Sequence, residues 1–187
     1  NEKIQMTVNT NNPIIHQTVT TLNNVNLRNK LKRDFRLNED EYFAIAKIIP
    51  GLFQQESNVN IPDKALKLLK ENLGEKEAKL LNEVYQLAGL SGKEAVSRVL
   101  KDTAVGRGIL KTWNTLIPSQ KVGIDESSLG WGRVKYDTNF RPIEKKLETD
   151  YGVTKNSLHV VNPESISASA ITSFAVLARN LNTLKKE

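Results

Sequence analysis

The sequence predicts an all-α domain with at most a small β-hairpin. From Leu27 onward, apolar residues recur at three- and four-residue steps, which is the period of an amphipathic helix. Helix-capping residues mark these stretches, as where Ser91 is followed by Glu94 in a capping-box spacing. With 187 residues, the chain is long enough to build a domain with its own hydrophobic core.

Residues 1–26 differ in composition and hydrophobic pattern from the rest of the chain. They are rich in Asn and Thr, contain Pro13, and carry short β-branched pieces such as Thr18-Val19-Thr20. This composition predicts an extended N-terminal arm. Residues 27–187 contain no long linker and no internal repeat, so we expect them to form one domain.

The first strong helix is predicted over residues 38–56, where Tyr42, Ile49 and Phe53 share one face. Pro50 lies inside this stretch and predicts that the helix is kinked or restarts there, because proline lacks the backbone donor. Residues 62–102 carry further amphipathic helical stretches. These segments predict a predominantly helical core.

The second half of the chain is less regular until its last helix. The Gly-Arg-Gly string at residues 106–108 lacks a phosphate-binding pattern and predicts a turn, and residues 125–136 predict a β-hairpin or a loop. Asn162 and Pro163 have the residue types of a helix N-cap and first turn. The apolar stripe that follows, from Ile166 to Leu184, predicts a long core helix.

Composition excludes several kinds of chemistry. The chain has no cysteine and two histidines, so disulfides and cysteine nucleophiles are excluded, and a histidine-based metal site or serine triad is disfavoured. The net charge of +6 favours a polyanionic partner, such as nucleic acid, anionic membrane or bacterial cell wall. No stretch approaches the roughly 18 apolar residues of a membrane span. The start at Asn1 suggests export.

Glu56 is the candidate catalytic residue. It follows Leu52 and Phe53 by four and three residues, so it falls on the apolar face of the first strong helix. A carboxyl group that is partly removed from water has a raised pKa, which suits a general acid near neutral pH. The alternative is that Glu56 ends the helix at the surface as an ordinary solvated acid.

The residues around Glu56 form a recognisable string. Residues 51–60 read Gly-Leu-Phe-Gln-Gln-Glu-Ser-Asn-Val-Asn, a hydrophobic helix end followed by a polar loop. This string resembles the catalytic helix end of lysozyme-like muramidases, namely soluble lytic transglycosylases and goose-type lysozymes. The resemblance implies that Glu56 protonates the glycosidic oxygen between N-acetylmuramic acid and N-acetylglucosamine.

Two later segments are similar to the same family, in the same order. Residues 128–135, Ser-Leu-Gly-Trp-Gly-Arg-Val-Lys, resemble its glycine-containing cleft segment, and residues 161–180 resemble its buried terminal helix. The resemblance covers roughly residues 40–184, and only these three short segments carry it. The resemblance implies substrate contacts from Ser57, Ser128, Gly130, Trp131, Arg133 and Tyr136. The alternative for the second segment is a glycine-rich turn with Trp131 packed onto the core.

The sequence departs from the family at three points. Arg133 stands where the family has glutamine, which indicates a different contact, to a peptide carboxylate or a muramyl lactyl group. The Ala-Tyr-Asn pattern common in transglycosylases is absent. The interval between Glu56 and Ser128 is longer than in most of the family, so residues 62–102 are interpreted as a helical insertion.

A second carboxylate would decide the mechanism. Asp125, Glu126 and Asp137 flank the cleft segment and are candidates to position a water molecule. Inverting glycosidases place the base roughly 6.5–9.5 Å from the acid, and retaining pairs are roughly 5–5.5 Å apart. If none of the three reaches the water, the resemblance implies lytic transglycosylation. The alternative for each acid is solvation or pairing with a neighbouring basic side chain.

The combined prediction is a lysozyme-like, monomeric peptidoglycan glycosidase without metal or cofactor. Its partner would be peptidoglycan glycan strands, and its location extracellular or periplasmic. One alternative is a helical nucleic-acid-binding module, which the basic residues at 29–33 and 145–146 suggest. The prediction is that nucleic acid is not a partner, because 21 acidic residues dilute the 27 basic ones. A second alternative is a wall-binding protein of the same fold without activity.

Overall fold

The described part of the chain contains seven α-helices, one two-stranded antiparallel sheet and short 3₁₀ and π-helical turns, which confirms the predicted all-α class. The computed structural model describes residues 13–56, 62–72, 75, 79, 98, 100–101, 104–123, 128–160 and 162–186. The elements are α1 (Pro13–Asn23), α2 (Val25–Asp34), α3 (Glu39–Glu56), α4 (Asp63–Asn72), α5 (Ala104–Leu116), β1 (Ser128–Leu129), β2 (Val134–Lys135), α6 (Glu144–Tyr151) and α7 (Ser165–Lys185). None of the helices in these ranges is both long and apolar enough to cross a membrane.

Helix α1 corrects the prediction of an extended arm over residues 1–26. Ile14, Thr18 and Leu22 are buried at four-residue spacing, and the helix packs against α3 and α7. The Thr18 hydroxyl donates to the Ile14 carbonyl at 2.7 Å, so it is satisfied inside the core. Threonine and valine are weak helix formers, and burial of one face overrides that preference here. Residues 1–12 lie outside the described residues.

Helix α3 begins with a capping box and confirms the helix predicted over residues 38–56. Asn38 Oδ1 accepts from the Glu41 amide at 2.8 Å, and Glu41 Oε1 accepts from the Asn38 amide at 3.0 Å. The bond from the Asn38 amide lowers the pKa of Glu41, since it favours the ionised carboxylate. The helix continues through Pro50, so it does not restart at that residue.

Helix α7 is the long core helix that the terminal apolar stripe predicts. Phe174 is fully buried, and its ring centroid lies 4.8 Å from that of Tyr42 on α3. The Tyr42 hydroxyl donates to the Leu22 carbonyl at 2.6 Å, which ties α1 to the same core. The helix begins at Ser165, slightly later than predicted, because Asn162 Oδ1 accepts from the Glu164 amide in a preceding turn.

Helix α5 corrects the predicted turn at residues 106–108. Gly106, Leu110 and Trp113 lie on one buried face at helical spacing, and α4 packs against this helix. Trp113 Nε1 donates to the Gln120 carbonyl at 2.9 Å, which fixes the chain after α5. Most of residues 73–103 lie outside the described residues, so the proposed insertion over 62–102 stays a prediction.

Candidate functional site

The predicted hairpin is present and has a tight four-residue turn. Ser128 pairs with Lys135 and Leu129 with Val134, and the chain between the strands reads Gly-Trp-Gly-Arg. The Arg133 amide donates to the Gly130 carbonyl at 3.2 Å and closes the turn. Gly130 has φ +71° and Arg133 has φ +50°, so both residues that bound the turn are left-handed.

The turn lies directly on helix α7, and its glycines allow that approach. A Cβ atom on Gly130 would lie 2.6 Å from Ser169 Oγ, and one on Gly132 would lie closer still to Ser173 Oγ. Both separations are too short for a real side chain. Phe53 of α3 completes the contact, because its Cε1 atom would lie 3.0 Å from the Cβ of Gly132. The end of α3, the turn and α7 therefore meet at one point.

Trp131 is a core residue, which corrects its prediction as a sugar contact. The side chain has no exposed surface, and its Nε1 donates to Ser165 Oγ at 2.8 Å. The Trp131 amide donates to Ser169 Oγ at 3.0 Å. The Arg98 guanidinium lies 4.9 Å from the Trp131 ring centroid and donates to the Gly130 carbonyl at 2.9 Å. Trp131 therefore packs into the core beneath the turn and holds it there, which agrees with the alternative interpretation of this segment.

A cleft of about 430 Å³ opens beside the hairpin. Its walls come from the start of α5, from β1 and Gly130, and from residues 155–160 between α6 and α7. The polar and charged lining residues are Arg107, Ser128, Lys155, Asn156 and His159, and Leu and Val side chains supply the apolar part. The volume falls within the roughly 300–1,000 Å³ of small-molecule sites. None of the lining residues within the described ranges is acidic.

The structure brings some of the predicted substrate-binding residues to this cleft and leaves others away from it. Ser128 and Gly130 line it. Tyr136 stands beside its wall, because Lys155 Nζ lies 4.4 Å from the Tyr136 ring centroid. Arg133 is half-buried and Asp137 is exposed, and neither is among the described residues that line the cleft.

Glu56 is the last residue of α3, three residues after the fully buried Phe53. At the rise of an α-helix this separation is about 4.5 Å along the axis. Because Phe53 packs against Gly132, the backbone of Glu56 lies within about a helical turn of the hairpin contact. The Glu56 side chain and residues Ser57, Asp125 and Glu126 lie outside the described part of the structure, so their predicted roles stay predictions.

The cleft contains residues that the sequence did not indicate as functional. Arg107 belongs to a predicted turn, and Lys155, Asn156 and His159 belong to a segment without a motif. No sequence spacing connects them, because the three segments meet only after the chain has folded. Within the described ranges, no three His, Asp or Glu side chains come together in a way that could hold a metal ion.

No protein-family model, curated protein or solved structure matches this chain. No activity is therefore transferred to it from a relative. Its function is inferred from the end of α3, the hairpin turn and the cleft beside it.

Proposed function

We propose that this chain is a lysozyme-like enzyme that cleaves the β-1,4 bond between N-acetylmuramic acid and N-acetylglucosamine in peptidoglycan, with Glu56 as general acid. One observation carries the proposal: the end of α3 packs on the glycine turn of the hairpin through Phe53 and Gly132. The three segments that resemble muramidase motifs are therefore neighbours in space, although they are far apart in the chain.

The place of Glu56 in the fold suits a proton donor. It is the last residue of α3, which has 18 residues, and the carbonyl end of a helix carries partial negative charge. Negative potential of this kind disfavours a carboxylate and favours the neutral carboxylic acid. A general acid has to be protonated when the substrate binds, so the end of α3 is a favourable position for it.

In the proposed reaction, Glu56 gives its proton to the glycosidic oxygen while the bond from that oxygen to the muramyl C1 breaks. Positive charge develops on C1 and the ring oxygen. In hydrolysis, a second carboxylate takes a proton from the water that attacks C1. In transglycosylation, the muramyl 6-hydroxyl attacks C1, its proton passes to the Glu56 carboxylate, and a 1,6-anhydro end is formed.

The second carboxylate would come from the residues that flank the hairpin. Asp125 and Glu126 precede β1 by two or three residues, and Asp137 follows β2 in a π-helical turn. Asp137 is exposed, so its carboxylate has access to water. Loss of hydrolysis in an Asp125→Asn, Glu126→Gln or Asp137→Asn protein would identify the base, and persistent anhydro products would indicate that none is needed.

The cleft supports a glycan as the substrate. The hydroxyl of Ser128 and the amide of Asn156 can both donate to and accept from sugar hydroxyl and acetamido groups. Leu129 is partly exposed in the lining and supplies an apolar surface for the carbon face of a sugar ring.

Digestion of purified peptidoglycan by the wild-type and Glu56→Gln proteins tests the proposal. General acid catalysis contributes roughly 10²–10⁴-fold, so the Glu56→Gln protein should lose about that factor in rate. Glu148→Gln is the matched control, because Glu148 is exposed on α6. Mass analysis of the products separates reducing ends, from hydrolysis, from anhydro-muramyl ends.

Two results would contradict the proposal. Equal activity of the wild-type and Glu56→Gln proteins would remove Glu56 from the mechanism. No cleavage by either protein, together with binding to peptidoglycan, would favour a wall-binding role for the same cleft. If the proposal holds, the enzyme acts where peptidoglycan is found, outside the cytoplasmic membrane in an extracellular or periplasmic location.

A further inference from the structure

The cleft beside the hairpin has a cationic rim. Arg107 on α5 and Lys155 after α6 both line it, and the imidazole of His159 lies in the same wall. No Asp or Glu lines the cleft within the described residues. Two permanent positive charges in a concave site favour a ligand that carries a negative charge.

Both cations contact neighbouring groups of the fold. Lys155 Nζ lies 4.4 Å from the Tyr136 ring centroid, and Tyr136 in turn stacks on Phe140 with centroids 5.9 Å apart. Arg107 Nη1 donates to the Lys101 carbonyl at 3.4 Å. Side chains that are positioned in this way lose less conformational freedom when a ligand binds.

The geometry points to a carboxylate-binding subsite: we propose that Arg107 and Lys155 bind a carboxylate of the glycan substrate. The proposal rests on the proposed function for the substrate class. The guanidinium group of Arg107 offers paired donors that match a carboxylate, and Lys155 adds a compact charge. In peptidoglycan this carboxylate can come from the stem peptide or, where the peptide is absent, from the lactyl group of muramic acid.

Nucleic acid fits the same rim less well. Proteins that bind single strands stack bases on aromatic side chains, and the described lining contains no Phe, Tyr or Trp. The one aromatic ring described beside the wall, that of Tyr136, is covered by Lys155. A short, charged peptide or lactyl group next to a sugar ring matches the mixture of cations, hydrogen-bonding groups and apolar side chains in the cleft.

Binding to three soluble glycans tests the subsite. The probes are peptide-bearing glycan strands, strands whose peptides an amidase has removed to leave lactyl carboxylates, and chitooligosaccharides without carboxylates. The variants are Lys155→Gln and Arg107→Gln, and the controls are Lys145→Gln and Arg179→Gln, whose side chains are exposed on α6 and α7. Dissociation constants are measured by calorimetry in the Glu56→Gln background, so that no strand is cut during the titration.

We expect each cleft variant to bind carboxylate-bearing strands about tenfold more weakly, which is typical of losing a charged hydrogen bond. The controls should bind like the parent protein, and chitooligosaccharide binding should be unchanged in every variant. Weakening only with peptide-bearing strands identifies the stem-peptide carboxylate, and weakening only with amidase-treated strands identifies the lactyl carboxylate. Weakening with both kinds of strand shows that the subsite accepts either carboxylate. Unchanged melting temperatures of the cleft variants would show that the folds are intact.

Failure of this subsite and failure of the proposed catalysis give different results. If strands are cut by the wild-type protein but are bound and cut equally well with Lys155→Gln and Arg107→Gln, the subsite is wrong and the catalysis stands. If binding depends on Lys155 and Arg107 but no strand is cut, the subsite stands alone. No binding to any strand, or tighter salt-sensitive binding to a mixed-sequence oligonucleotide, overturns the subsite.

Discussion

Replacement of Gly130 by alanine tests the contact between the hairpin turn and α7. Gly130 has φ +71°, and an alanine in this left-handed conformation costs about 1–2 kcal/mol. The new Cβ would lie 2.6 Å from Ser169 Oγ, which therefore has to move. Its movement breaks the 3.0 Å bond from the buried Trp131 amide, and a buried unsatisfied donor costs about 1–3 kcal/mol.

The strained alanine backbone and the unsatisfied Trp131 amide together should lower the free energy of unfolding of Gly130→Ala by about 2–5 kcal/mol. For a chain of 187 residues, each kcal/mol lowers the melting midpoint by about 2–4 °C, so a loss of about 3 kcal/mol corresponds to about 6–12 °C. Thermal unfolding followed by circular dichroism measures this difference. Reversible urea unfolding gives an independent free energy.

Gly152→Ala is the matched control for the backbone conformation. Gly152 has φ +65°, but apart from its immediate chain neighbours no described residue places an atom within 4 Å of the position that an alanine Cβ would take. Its replacement should therefore cost only the conformational part, about 1–2 kcal/mol. The loss of unfolding free energy in Gly130→Ala, minus the loss in Gly152→Ala, then measures the contribution of the contact with Ser169. Equal losses of stability in the two variants would mean that the turn does not lie on α7 as described.

Two further predictions concern the fold. Leu22 is fully buried, so Leu22→Ala should lower the free energy of unfolding in urea by about 2–5 kcal/mol. Val25 is exposed, and Val25→Ala should lower it by about 0.5 kcal/mol or less. Equal losses in the two variants would refute the packing of α1. Burial raises the pKa of Asp34, but the hydrogen bond from Tyr151 and the charge of Lys146 outweigh this effect and leave the pKa lowered. Stability from the Asp34 carboxylate is therefore present above its unfolded pKa of about 4 and lost as the pH falls through the lowered folded pKa. Unfolding midpoints between about pH 5 and pH 2 should fall less steeply for Asp34→Asn than for the wild type, and identical slopes would contradict this assignment.

Helices α3 and α7 could be predicted because their signals are local. Each has an apolar stripe of several turns, and Asn38 or Asn162 stands where a capping residue is expected. Helix α1 could not be predicted in the same way, because its threonines and valine favour extended structure in isolation. Its helical state depends on the buried face that it presents to α3 and α7, and that partner surface is not visible in residues 13–23 themselves.

The hairpin segment illustrates the difference between recognising a motif and assigning roles to its residues. The glycines of residues 128–135 belong to the resemblance to a substrate cleft, but in the structure Gly130 lies against Ser169 and Gly132 against Ser173 of α7. Trp131 had two interpretations in the sequence, and its burial under the turn selects the structural one. Local sequence cannot distinguish a glycine that accommodates a ligand from one that accommodates a helix, because both require the same missing side chain.

The sequence by itself determined the helical class, the exclusion of cysteine chemistry, and the position of Glu56 at the end of an amphipathic helix, because these depend on composition and on short-range periodicity. Only the tertiary structure decided that α1 belongs to the core, that Trp131 is buried, and that Arg107, Lys155 and His159 share a cleft with Ser128 and Gly130. Burial and site composition depend on which distant segments become neighbours. That information is distributed over the whole chain and is not contained in any single motif.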